Sequence, residues 1–153
     1  MKKLISAAIT ALVFGVLFPL SGYAMETIQV QPSSDGNFET SLFGAKVRGE
    51  VLTVKIKLKN VSTKSVKIQF YYKDAYYTDI KNKKKYFALK DSDGKYIAGP
   101  SDRASEGGKV ERYIEGDGQV IIWIKFPAPP ETTDTVDIII PGILPFEEIK
   151  ISR

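Results

Sequence analysis

The stretch that decides the fold runs from Gln119 to Ile151, QVIIWIKFPAPPETTDTVDIIIPGILPFEEIKI. Val120, Ile122, Ile124 and Phe126 share one face of an extended chain. Ile121 and Trp123 share the other with Lys125, so both faces of this strand are apolar. Pro127, Pro129 and Pro130 withhold backbone donors and force an extended crossover, which suits a change from one sheet to another. Val136–Ile140 is the next strand, Pro141-Gly142 breaks it, and Pro145–Ile151 supplies a final edge strand.

Outward from this stretch the same period of two recurs. In Val51–Asn60, VLTVKIKLKN, the residues Leu52, Val54, Ile56 and Leu58 point one way. Thr53, Lys55, Lys57 and Lys59 point the other, as a half-buried antiparallel strand requires and a helix does not allow. The Leu52–Leu58 row is expected to pair with the Val120–Phe126 row across the sandwich. Val66, Ile68, Phe70 and Tyr72 repeat the pattern after a polar connection, and the two runs are expected to form a β-hairpin. Tyr86–Leu89 reads as a short strand, Asp91–Gly94 as a tight turn, Lys95–Ala98 as extended and Val110–Ile114 as a brief strand. A further strand is expected near Phe38–Phe43. Gly99–Gly108, without periodicity, is expected to be the longest and most mobile loop.

No segment carries a convincing amphipathic helix. Short strands at spacings of about 8 to 12 residues predict an all-β fold, an immunoglobulin-like antiparallel β-sandwich of about seven to nine strands. A small β-barrel is the alternative.

The first 24 residues are a separate object. Lys2 and Lys3 precede the acid-free apolar run Leu4–Leu20, which exits through Ser21-Gly22-Tyr23-Ala24. Small residues at 22 and 24 fit signal-peptidase cleavage after Ala24, against the competing reading of an uncleaved anchor. The expected organisation is a signal peptide over 1–24, a flexible N-terminal arm over 25–37 with at most one short strand around Thr27–Val30, and a single sandwich domain over 38–153. The expected location is exported, periplasmic or extracellular, without stable membrane insertion after cleavage.

Loss of Lys2 and Lys3 leaves 20 of the 22 basic residues against 18 acidic ones, a net charge of +2. That is too balanced for a nucleic-acid signature, and no nucleic-acid partner is expected. The chain has no cysteine and no histidine. It therefore lacks thiolate and imidazole metal ligands, Ser-His-Asp and Cys-His nucleophile systems, and any side chain whose ordinary pKa lies near neutrality. Catalysis would fall to carboxylates, lysines or tyrosines. The acidic pairs Glu147-Glu148 and Glu115 with Asp117 sit in turn or edge contexts, with no second acid brought to them. No enzyme activity, cofactor or metal is expected. Asp91-x-Asp93-Gly94 matches the start of a calcium loop, but the later ligands are missing and a hairpin turn accounts for it.

Two surfaces are candidates for ligand binding. One is the tyrosine and lysine cluster from Tyr71 to Tyr96, with Tyr71, Tyr72, Tyr76, Tyr77, Tyr86 and Tyr96 around Lys73, Lys81, Lys83, Lys84 and Lys85; Tyr71, Tyr76, Tyr77, Tyr86, Lys83 and Lys84 are its candidate contacts. Aromatic faces with ammonium groups could take a sugar, an anionic polymer or a protein groove. The competing account has the tyrosines filling sheet faces and the lysines guarding an edge. The other candidate is Ile121 with Trp123, an exposed apolar patch unless a loop covers that face.

The runs VLTVKIKLKN, KKKYFALKDSDGKYIAG and WIKFPAPP followed by VDIIIPGILPFEEIKI resemble a group of small exported bacterial domains with immunoglobulin-like sandwiches, some attached to larger envelope proteins. The resemblance covers Glu50–Ile151 and implies the fold, with no catalytic residue. Val54–Phe70 is also loosely similar to sandwich-type proteinase inhibitors. The functional expectation is an exported, non-enzymatic binding module with a protein partner, or with a glycan or anionic polymer. The alternative is a secreted inhibitor of a protease or other hydrolase that inserts Gly99–Gly108.

Overall fold

A computed structural model describes residues 26–153. The signal peptide expected over residues 1–24 lies outside the described residues. Ten strands follow one another: β1 (Gln29–Pro32), β2 (Phe38–Arg48), β3 (Val51–Asn60), β4 (Val66–Tyr71), β5 (Tyr76–Asp79), β6 (Lys84–Phe87), β7 (Lys109–Ile114), β8 (Gln119–Pro127), β9 (Thr135–Ile139) and β10 (Phe146–Lys150). Among the described residues there is no α-helix, only one 3₁₀ turn at Tyr72–Asp74. No helix there is long and apolar enough to cross a membrane.

Every ladder between these strands is antiparallel. The first sheet has the order β1-β2-β3-β8 and the second β10-β9-β5-β6, and β4 and β7 form a third, two-stranded sheet. No sheet closes on itself, so the fold is a β-sandwich and not a barrel. The order β2-β3-β8 against β10-β9-β5 reproduces the A-B-E and G-F-C strand sets of the immunoglobulin-like sandwich. The segment read as an N-terminal arm contains β1, which pairs with β2 from Gln29↔Leu42 to Pro32↔Glu39.

The period of two in β3 is realised as burial. Leu52, Val54, Ile56 and Leu58 are buried and their alternates are partly or fully exposed. Ile122, Ile124 and Phe126 of β8 are buried beside them. Sequence reading set these two apolar rows across the sandwich from each other. They are instead neighbours in one sheet, in the unbroken register Leu52↔Phe126, Val54↔Ile124, Ile56↔Ile122 and Leu58↔Val120. The opposite layer supplies Tyr77, Val136, Ile138, Phe146 and Ile149 to the same core.

The expected β3–β4 hairpin is likewise replaced. β3 pairs with β2 and β8, while β4 pairs with β7. The cause lies at the corner. The fully buried Asn60 donates its side-chain amide to the carbonyls of Lys64 (2.7 Å), Ile114 (2.9 Å) and Glu115 (3.1 Å). Its Oδ1 accepts from the Ser62 N–H and hydroxyl, each at 2.9 Å. One buried amide thus ties the β3–β4 connection to the β7–β8 turn, with its polar atoms satisfied, and carries the chain to the other layer.

A second buried polar group fixes the other end. Asp79, fully buried, accepts from the Thr133 hydroxyl at 2.6 Å, from the Asn82 N–H at 3.0 Å and from the Asn82 side-chain amide at 2.7 Å. Burial pushes its carboxyl up, but the hydrogen bonds from Thr133 and Asn82 outweigh this and hold it below the usual aspartate range. A carboxyl lowered in the folded state contributes stability above its unfolded value near pH 4, and that contribution is lost as pH falls through the lower folded value. Asp79→Asn is expected to cost about 2–3 kcal/mol at pH 7 and to flatten the acid limb of a plot of Tm against pH below roughly pH 4. An unaltered acid limb in the variant would remove Asp79 from this role.

Candidate interaction face

The outer face of the first sheet is built by alternation. β8 turns Ile121 and Trp123 outward, 43% and 41% exposed, because Ile122 and Ile124 turn inward. Register sets Lys57 beside Ile121 and Lys55 beside Trp123. Lys55 is opposite Gly44 of β2, immediately after a bulge between Leu42 and Gly44. A side chain at Gly44 would meet the Lys55 stem at 3.5 Å, so the glycine gives that lysine a flat seat. Beyond it an open cleft of about 880 Å³ lies along β2, lined by Lys46, Arg48, Lys55 and Lys150 with Glu26 as its one acid. β3 and β8 carry no acidic residue. The face is therefore apolar at β8 and cationic from Lys57 to the cleft.

β8 also forms one edge of this sheet. The Lys125 N–H donates to the Ala98 carbonyl at 2.6 Å, and the Lys125 carbonyl accepts from the Leu89 N–H at 3.0 Å. Lys125 therefore turns its backbone polar groups away from β3. In an antiparallel ladder this direction alternates residue by residue, so Ile121 and Trp123 also turn theirs outward. Gly99 lies against the Trp123 carbonyl. Among the described residues, no hydrogen bond reaches the outward N–H and C=O of Ile121 or the N–H of Trp123.

The tyrosine and lysine cluster is not one surface. Tyr77 is fully buried. Its hydroxyl donates to the Pro127 carbonyl at 2.9 Å, and its ring stacks on the half-buried Tyr86 at 4.7 Å and meets Phe126 edge-on at 5.6 Å. Burial pushes the Tyr77 hydroxyl far above the usual tyrosine value, so it stays protonated. The sequence reading of Tyr77 as a ligand contact fails because its strand parity points it into the core. Tyr71 is half-buried on β4, with Lys73 Nζ 5.2 Å from its ring centre. Tyr76 lies on the outer face of the second sheet, with Lys85 Nζ 3.7 Å from its ring centre and Phe87 at 5.8 Å. Lys83 holds a left-handed turn conformation, φ 54°, and Lys84 opens the exposed edge strand β6.

Sequence reading missed Phe87 as a neighbour of Tyr76, and Lys55 and Lys57 as neighbours of Trp123 and Ile121. Only the registers Tyr76↔Phe87, Lys55↔Trp123 and Lys57↔Ile121 reveal them. The loop Gly99–Gly108 is pinned where mobility was expected. The Tyr72 hydroxyl donates to the Pro100 carbonyl at 2.9 Å, Arg112 pairs with Asp102 at 2.7 Å, and the Tyr72 and Lys73 N–H groups donate to Gly108 and Gly107. Asp91 accepts from the N–H groups of Asp93 and Lys95 within its own turn. Among the described residues no three acidic side chains converge to hold a metal ion.

The chain matches no family model, no curated protein and no solved structure.

Proposed function

We propose that this chain is an exported, non-enzymatic interaction module that holds an acidic protein partner on the outer face of its first sheet. The observation that carries the reading is the pair Ile121 and Trp123, exposed beside Lys55 and Lys57 on strands with no acid. Exposed apolar groups rimmed by charge mark association surfaces, and tryptophan is the residue most often dominant in them. The absence of histidine and cysteine supports a role without catalysis. The basic, apolar, small-residue pattern of residues 1–24 supports export.

Trp123→Ala and Ile121→Lys, each checked for an unchanged denaturation midpoint, test this in pull-downs from an envelope extract. Each is expected to weaken the captured partner by about 2 kcal/mol, roughly thirtyfold in Kd. Capture by the unaltered protein is expected to fall with added salt, since lysines on an exposed face are screened over about 10 Å at 0.1 M. Identical capture by both variants would sink the face as a binding surface.

A further inference from the structure

The open edge of β8 carries the functional reading one step further, to the mode of binding and the form of the partner. From Gln119 to Trp123 this edge combines two properties that sandwiches ordinarily keep apart. Its side chains Ile121 and Trp123 are exposed and apolar. Its backbone N–H and C=O at Ile121 and its N–H at Trp123 point outward without a hydrogen-bond partner among the described residues. The edge of the second sheet is handled differently, since β6 presents Lys84 and Lys85, the charged guard that discourages strand pairing. β8 has no such guard along this segment.

Resting on the interaction reading above, we infer that the β8 edge binds by strand addition. It accepts an extended segment of another polypeptide, apolar at its centre and acidic at its flanks, as a further strand of the first sheet. The ladder to the Ile121 backbone holds the peptide, apolar side chains of the added strand lie beside Ile121 and Trp123, and its acidic flanks lie toward Lys125 past one end of the segment and toward Lys59, opposite Gln119, at the other. Charge decides the flanks: Lys125 and Lys59 stand toward the two ends with Lys55 and Lys57 between them, and against these four lysines the outer face of β2, β3 and β8 carries one acid, Glu39 opposite Lys59.

The length of the opening decides against a second copy of this chain. Gly99 closes one end at the Trp123 carbonyl, and at the other end β8 begins at Gln119, directly after the Glu115–Gly118 turn. A copy paired about a two-fold axis at Ile121 would drive its own Lys125, with Leu89 and Ala98 already bonded along that edge, against this turn. A free peptide of about five paired residues fits between the two ends, and its flanks can leave the sheet.

Trp123 is the sole tryptophan of the chain, so its fluorescence reports on this edge alone. The probe is the end-blocked peptide DEVTVTVED, compared with KKVTVTVKK and with DEVTVTVED N-methylated along its five central residues. The acidic peptide is expected to give a saturable blue shift and at least a twofold loss of acrylamide quenching. The basic peptide is expected to bind at least about tenfold more weakly, and the N-methylated one not at all, because methylation deletes the ladder and keeps the side chains. Ile121→Pro removes only an outward N–H that β3 does not use, so the fold is expected to survive while peptide binding is lost; Ile121→Val is expected to bind normally.

Equal binding of the methylated and unmethylated peptides would overturn strand addition. So would a blue shift on concentrating the protein alone, which would put a second copy on the edge. Absence of any peptide-induced shift, with Trp123-dependent capture from extract intact, would overturn strand addition and leave the interaction reading standing. Failure of both measurements would remove that reading as well.

Discussion

Tyr77→Ala is expected to destabilise the protein by about 3–5 kcal/mol, lowering Tm by on the order of 10–20 °C. Tyr77 comes from β5 in the second sheet, and its hydroxyl reaches the carbonyl of Pro127 at the end of β8 in the first. Its ring is fully buried between Tyr86 and Phe126. Removing it would open a cavity between the layers and leave a carbonyl without its donor. Tyr77→Phe separates the two effects: the ring stays, the hydrogen bond goes, and a loss of about 1 kcal/mol is expected. Urea denaturation of the three proteins checks this. A Tyr77→Ala protein as stable as the parent, and altered only in partner capture, would return Tyr77 to the surface that sequence reading gave it.

Gly99→Ala is the second large effect, and its sign is the informative part. Where the backbone accepts it, replacing glycine by alanine stabilises by about 0.4–1 kcal/mol through the unfolded chain. At Gly99 a Cβ would fall on the carbonyl oxygen of Trp123 and 2.6 Å from the Tyr72 hydroxyl. The first obstacle is the backbone of β8, held along its length by the ladder to β3. The second is a side chain held by its bond to Pro100. Neither yields easily, so a loss of about 1–3 kcal/mol is expected, with a shift in Trp123 fluorescence because the strand beneath must move. Gly44→Ala is the control. Its Cβ meets the Lys55 stem at an ordinary 3.5 Å, and the change in stability is expected to be within about 0.5 kcal/mol. Gly99→Ala stabilising the protein would show that segment 89–100 does not pack on β8 as described.

The two variants touch the candidate site from opposite sides. Tyr77 holds the end of β8 from within the core, while Gly99 closes the edge beside Trp123 from outside. If strand addition at Ile121 is correct, Gly99→Ala is expected to weaken peptide binding as well as the fold. Tyr77→Phe, whose lost bond is at Pro127, is expected to leave binding unchanged.

Much of this was legible in the chain as written. The alternation in Leu52–Leu58 and Val120–Phe126 assigned strands and faces, and the prolines after Phe126 marked the passage between layers. The outward direction of Ile121 and Trp123 followed from the same parity. The tyrosines resisted because Tyr76 and Tyr77 are adjacent and equivalent by composition. One residue of register puts Tyr76 under Lys85 on the surface and Tyr77 against Phe126 in the core.

The sequence by itself determined the repertoire of strands, the inward and outward row of each, and the absence of imidazole and thiolate chemistry. These follow from local geometry, since a strand has a period of two whatever lies beside it. Tertiary structure decided which strands are neighbours: β3 with β8 instead of β4, β4 with β7, and segment 89–98 along β8 only as far as Lys125. Strand pairing is non-local, and it is settled by how all the inward rows fill one core and by buried polar groups such as Asn60 that fix the corners. The open edge at Ile121 exists for the same reason, because the segment that begins to cover β8 turns away at Gly99 and Pro100 to bond with Tyr72.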